Sequence, residues 1–303
     1  MALVLLCDKT LDTKIVCATR RVFPSSALQK RFSAYAERLA RAVGHADRAE
    51  PLKSYCTGLL LDGERKSAEP MAARVHPDGV GRAHQSLHHL VAKAPWDEEA
   101  LLSEVRSAVL PALTRKSPVV AWIVDDTGIP KKGRHFVGVE RQYCGQVGKQ
   151  DNCQVAVSLS VATEKASLPV TFQLYLPESW ASGKARRRKA GVPEEIVFET
   201  RPRIAMVQIR RAVDADLPRG VVLAGAAYGH ETRFREELEE LGLTSMVGIQ
   251  SSLHLWPTGM EPLPAKEWKG KRRKPFSPSS RSGTIAIATR YQTQDYRPRG
   301  AAS

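Results

Sequence analysis

The run Val119-Val120-Ala121-Trp122-Ile123-Val124 limits what this chain can become more than any other feature. It is continuously apolar, without the polar alternation of a half-wet strand. It therefore reads as a strand covered on both faces, as in the centre of an α/β sheet. The run ends in Asp125-Asp126-Thr127-Gly128. Carboxylates at the end of a buried parallel strand stand where α/β sheets build their sites. The same four residues are also good turn chemistry, so a site and a turn are both open on these residues alone. Side chains alternate along a strand, so only one of the two carboxylates faces a given site. Carboxylates so placed can hold a pair of Mg²⁺ or Mn²⁺ ions about 3.5–4 Å apart for phosphoryl transfer. Oxygen ligands of this hardness suit Mg²⁺.

The neighbouring segments place this strand in a fold class. Upstream, Leu28, Phe32, Tyr35, Leu39 and Val43 fall at helical spacing within 25–48. Further helices are expected over 51–62, 80–93 and 97–114, the last with Asp97 as N-cap and acids in its first turn. Downstream, 135–144 and 153–162 alternate as strands and suggest a hairpin across a Gly- and Asn-containing connection. A third strand is expected over 168–176, a helix over 199–213, a short strand at Val221–Ala224 ending at Gly225, a helix over 230–241 and a last strand over 244–249. That order is the one of an α/β, ribonuclease-H-like domain with a mixed sheet, preceded by a mainly helical N-terminal region. The boundaries expected are 1–115 for the helical region, 116–262 for the sheet domain and 263–303 for a basic, weakly ordered tail.

Charge selects the partner. Lys and Arg total 46 against 32 Asp and Glu, a formal net charge of +14. Such an excess points to a polyanion, and phosphate neutralisation with counterion release makes nucleic acid the expected one, against a non-binding basic surface or anionic lipid as alternatives. The five cysteines, Cys7, Cys17, Cys56, Cys144 and Cys153, are odd in number and without CxxC spacing, which argues against a disulfide scaffold or zinc knuckle. The opening apolar run Ala2–Cys7 is too short for a leader and meets Asp8-Lys9 at once. No stretch approaches the roughly 20 apolar residues that span a bilayer, so a reducing cytoplasm is expected and no membrane.

Several side chains are candidates for holding the DNA backbone. Lys131, Lys132 and Arg134, with His135, follow the carboxylates closely; Lys149 and the run Arg186-Arg187-Arg188-Lys189 add to them. Gly145–Gln150 lacks the spacing of a phosphate loop and is set aside. His84 and His88 share a face if 80–93 is helical, but with no HExxH and no third ligand they read as surface or packing histidines beside His89. Tyr143 and Trp180 could stack on bases, though core packing is the expectation for both. Cys144 and Cys153 flank the hairpin connection and are expected to be buried and reduced.

The stretch Trp122–Gln154, WIVDDTGIPKKGRHFVGVERQYCGQVGKQDNCQ, resembles the core of insertion-sequence transposases of the DDE endonuclease superfamily, in the family numbered seven hundred and one. The likeness continues through VAVSLSVA (155–162), LYLPESWA (174–181), AGVPEEI (190–196) and VVLAGAAYG (221–229). Upstream, GLLLDGERKSAEPMAAR (58–74), HQSLHH (84–89) and APWDEEALL (94–102) fit as well, so it covers roughly 45–250. The resemblance implies a ribonuclease-H-like catalytic domain that cuts transposon ends at terminal inverted repeats and joins them to a target. It implies Mg²⁺ (or Mn²⁺) held by two aspartates and a glutamate. The first aspartate falls on the pair, with Asp126 favoured and Asp125 as the alternative. The second position is occupied by Gly225, and Ala227 stands where a glycine is expected. Gly183 likewise stands where the pattern carries an aspartate. No match is found for the glutamate, and from about residue 275 the chain departs from the pattern as a frameshifted or truncated frame would. Glu231 is a better substitute carboxylate than Asp214 or Asp216, which precede the strand. The resemblance thus implies a DNA strand-transfer protein, nucleoid-associated and possible as a homodimer, whose own chemistry is defective. The alternative is a non-catalytic DNA-binding repressor or remnant.

Overall fold

The strand that begins in the apolar run does not stop at the aspartates. In the computed structural model, β1 spans Ala121–Pro130, so Asp125-Asp126-Thr127-Gly128 is strand and not turn. The structure describes residues 26–250 together with two short strands, His254–Leu255 and Ile285–Ala286, which pair with each other. Cys7, Cys17, the N-terminal apolar run and most of 263–303, for which the sequence raises expectations, lie outside the described residues. The extension of β1 has a plain cause. Antiparallel pairing with β3 (Lys149–Ala162) runs from Ala121↔Ala162 to Pro130↔Cys153, well past the last parallel pair with β5 (Val221–Ala224) at Val124↔Ala224.

The six-stranded sheet is mixed. Its order is β2–β3–β1–β5–β6, with β4 (Ser167–Leu174) also pairing with β3. Strand β2 is Glu140–Cys144 and β6 is Ser245–Val247. β2 and β4 lie antiparallel to successive halves of β3, while β1, β5 and β6 run parallel. β3 thus starts at Lys149, earlier than the expected 153, because the Gly145–Val147 turn and Gly148, at φ +66, reverse the chain tightly. Residues 135–139 are loop, not strand.

Among the described residues five α-helices lead into the sheet: α1 (Ser26–Ala42), α2 (Ala49–Leu60), α3 (Ala68–Val75), α4 (Val80–Ala92) and α5 (Glu98–Thr114). Asp97 caps α5 as expected, accepting from the Glu99 and Ala100 amides at 2.8 and 3.2 Å. Helix α3 has no expectation in the sequence reading, because it is short and carries Pro70 in its first turn. After β4 come two short helices, α6 (Glu178–Ser182) and α7 (Lys184–Lys189), then α8 (Arg201–Asp214) before β5. Beyond β5 lie α9 (Ala226–Gly229) and α10 (Thr232–Glu240). One apolar cluster joins Leu39, Leu52, Met71, Leu87 and Leu101 of the helices to Trp122, Val124, Val157 and Leu159 of the sheet and to Ile204, Ile209, Phe234 and Leu238. Each such side chain contributes about 1.5–3 kcal/mol when removed from water.

Helix α10 is fastened to α8 by charge. The buried Glu237 carboxylate receives Arg210 at 2.8 Å, Arg233 at 2.9 Å and Arg203 at 3.5 Å. Hydrogen bonding from Arg210 above all holds its carboxyl below the ordinary value of 4.5. A carboxyl lowered in the folded state stabilises the fold fully above that ordinary value and loses the contribution as pH falls through its lowered value. Glu237→Gln is expected to cost roughly 1–2 kcal/mol at neutral pH, less than a fully buried pair because the arginines are partly exposed. Urea denaturation at pH 7 and again below pH 4 checks this; the deficit must shrink in acid.

Candidate functional site at the acidic strand

Asp126 is the centre of a small polar network. It lies two residues beyond Val124 on the same face of β1. Its Oδ2 accepts from Arg201 Nη1 at 3.0 Å, and its Oδ1 accepts from the Tyr228 hydroxyl. Arg201 opens helix α8, where the Thr200 side chain caps the first turn, and its second Nη donates to Gln142 Oε1 of β2 at 3.0 Å. The guanidinium also lies 4.9 Å from the centroid of the Tyr175 ring. Tyr228 comes from α9, three residues beyond Gly225, and is buried against Phe234. Burial first, and then the Asp126 carboxylate, push its phenol far above the ordinary range. Gly229 can only be glycine here: a Cβ would lie 2.0 Å from the Gly248 carbonyl oxygen, so α9 sits directly on the end of β6.

Asp125 is exposed and, by alternation, on the opposite face of β1 from Asp126. Gly225 caps α9 immediately after β5, at φ −72, and a Cβ there would meet no atom within 4 Å. A side chain at 225 is therefore sterically possible, and packing does not demand glycine there. Glu231 lines a cavity of about 370 Å³ with Val197, Phe198, Met206 and Phe234. Asp214 ends α8 and Asp216 follows it, both ahead of β5. Among the described residues no group of three or more His, Cys, Asp or Glu is arranged to hold a metal ion. Mg²⁺ needs close octahedral oxygen geometry, and one aspartate whose oxygens already accept from a guanidinium and a phenol does not supply it. The described residues do not fit a two-ion cage. Residues 251–303 lie outside the described residues but for the two short strands.

The basic candidates divide into two kinds. Lys131, Lys132 and Arg134 lie in the loop after β1, which Asn152 ties down by donating to the Lys131 and Gly133 carbonyls at 2.6 and 3.0 Å. Lys132 and Arg134 are exposed, and Lys149 is 70% exposed beside Asp151. Arg186 instead stacks 3.6 Å from the Trp180 ring centroid and donates to the Arg134 and Val139 carbonyls. Arg187 donates to the carbonyls of Ala181, Pro193, Glu194 and Ile196. Arg186 thus fastens α7 to the basic loop and Arg187 ties it to α6 and the segment before α8, while Arg188 and Lys189 stay exposed. Trp180 is core, as expected; Tyr143 is not, with 60% of its surface exposed. Tyr143 is turned outward because it alternates with Gln142, which faces Arg201. Cys144 and Cys153 are buried, reduced neighbours, and desolvation pushes the Cys153 thiol up to about 11. His84 and His88 pack edge to face at 6.2 Å between ring centroids.

Arg201, Gln142 and Tyr228 have no place in the sequence reading. Tyr228 lies within the VVLAGAAYG stretch, so a signal for it was present. Arg201 and Gln142 meet only through the tertiary packing of α8 on β2.

Residues 38–300 match the family described as DDE superfamily endonuclease. That match runs past residue 275, where the sequence reading has the chain depart from the family pattern. The chain is also 30% identical, over 233 residues, to a protein of Microchaete diplosiphon described as the probable transposase for insertion sequence element IS701. The alignment covers 77% of this chain and 57% of that protein's length.

Tyr228→Phe removes the hydroxyl that Asp126 accepts from. It is expected to cost about 1.5–3 kcal/mol, the range for a hydrogen bond to a charged group, in urea denaturation. In an alkaline titration read by phenolate absorbance, Tyr228 should stay protonated beyond the roughly pH 10 of an ordinary phenol; ionisation near that value counts against the network.

Proposed function

The chain belongs to the DDE superfamily endonucleases, and on that premise we propose that it binds transposon-end DNA but does not complete cleavage and strand transfer by itself. The observation that carries this reading is Gly225: the position beside the acidic strand that would supply a second carboxylate has none, and Asp126 is neutralised by Arg201 instead. When bound in a DDE centre, Mg²⁺ or Mn²⁺ activates the attacking oxygen and stabilises the leaving one. Here the described residues support binding without that chemistry. The exposed cations of the β1–β2 loop and α7, with the excess of positive charge, supply phosphate contacts. No helix among the described residues is long and apolar enough to cross a membrane. The reading places the protein on the nucleoid of a prokaryotic cell, at terminal inverted repeats and as a homodimer. There it would act as a repressor by occupying ends that an active relative needs.

Purified protein should bind duplex DNA carrying its element's terminal repeats with an affinity that falls steeply with salt, by a log–log slope of roughly −0.9 per phosphate contacted. With Mg²⁺ or Mn²⁺ present, the same DNA should remain unnicked; robust nicking sinks the reading. Gly225→Asp should fold normally, since its Cβ enters open space at φ −72. It should also raise divalent-ion affinity, read as a Mg²⁺-dependent rise in thermal midpoint that the unsubstituted chain lacks.

A further inference from the structure

The ribbon formed by β2 and the start of β3 carries a surface that the acidic strand does not use. Between residues 130 and 150 the chain has Lys131, Lys132, Arg134, Arg141 and Lys149 against a single acid, Glu140. Glu140 lies on the other face of the ribbon, where it accepts from Ser179 Oγ at 3.0 Å. On the near face, Arg141 pairs in register with Asn152 and Tyr143 with Gln150. Asn152 holds the basic loop against this same face through its two carbonyl contacts. Arg141, Tyr143 and Gln150 are exposed. Phe136, 52% exposed, lies in the same loop with the Lys131 ammonium 5.1 Å from its ring centroid. Tyr143 keeps 60% of its surface in water, on the opposite face of the strand from buried Cys144. An aromatic ring held out on a rigid strand among cations is the composition of a surface that takes unpaired nucleobases. The cations track the phosphates and the ring offers a sequence-tolerant stacking face.

We propose that the β2–β3 ribbon binds unpaired DNA, with Tyr143 stacked on a nucleobase and Arg141, Lys132 and Arg134 on the flanking phosphates. The inference rests on the DNA-binding reading above and adds the strand state of the ligand. Register fixes the location. Ser158, the partner of Asp125, and Gln150, the partner of Tyr143, are an even number of residues apart on β3. The platform therefore lies on the Asp125 face of the sheet, opposite Asp126. The stacked base is not the one nearest the Asp126 network.

The test uses the full chain and two probes: a blunt duplex, and the same duplex with a thymidine 3′ overhang of about eight nucleotides, within the usual span of a single-strand site. Wild type is expected to prefer the overhang. Tyr143→Ala should weaken overhang binding roughly five- to hundredfold and leave the blunt duplex within about twofold, with an unchanged melting temperature because the ring is exposed. Tyr143→Phe should retain the preference. With 5-iodouracil in the overhang, photocrosslinking should label Tyr143. Equal affinity of wild type and Tyr143→Ala for the overhang, or an equal loss on both probes, overturns the stacking assignment while leaving DNA binding intact. Failure of wild type to bind either probe overturns the proposed function and this inference together.

Discussion

Everything at the site depends on the antiparallel ladder between β1 and β3. It carries β1 six residues beyond its last parallel pair with β5, from Val124 to Pro130. A strand that stopped where its apolar run stops would leave Asp125 and Asp126 in a turn, free to point together. Held in the ladder, they point to opposite faces. Asp126 turns towards α8 and α9, and Asp125 towards the ribbon surface. The same ladder projects the start of β3 past the sheet, which gives β2 its partner and the basic loop its anchor at Asn152.

Once Asp126 is fixed, its surroundings follow from charge. A partly buried carboxylate needs hydrogen bonds and an opposite charge. Arg201 supplies both from the first turn of α8, and Tyr228 supplies a second donor from α9. The guanidinium reaches on to Gln142, so one side chain joins β1, β2 and α8. The network holds the Asp126 carboxylate through donors on two separate helices.

The main elements of the sheet and most helices were legible in the sequence because their signals are local: apolar period, caps such as Asp97, and breaks at glycine. What escaped was set at long range. The extension of β1 through the acidic pair is dictated by β3 and runs against the turn propensity of Asp-Asp-Thr-Gly. Helix α3 carries a proline where helices tolerate it, yet its eight residues are too few to show a period. Among the basic residues, sequence could not separate Arg186 and Arg187, spent on carbonyls and a tryptophan ring, from Lys132 and Arg188, which remain exposed. A run of like charges shows that something is solvated or bound; only the fold shows which members have donors left over.

Gly225 and Gly229 stand under opposite packing demands. At 229 a side chain would collide with the Gly248 carbonyl, so that glycine is enforced by packing. At 225 the backbone lies in a region open to every L-residue, and a Cβ would meet nothing. No packing demand selects glycine there, and none would resist its replacement by aspartate. An aspartate there would add a carboxylate without disturbing the packing. β5, the α9 cap and the Tyr228 contact that α9 delivers to Asp126 all stand without a carboxylate at 225. So do the cationic loop and ribbon on the far face, whose geometry is set by Asn152 and the β2–β3 register. The Asp126 network and the cationic ribbon are thus built on separate supports in this fold, and a side chain at 225 exerts no physical pressure on either.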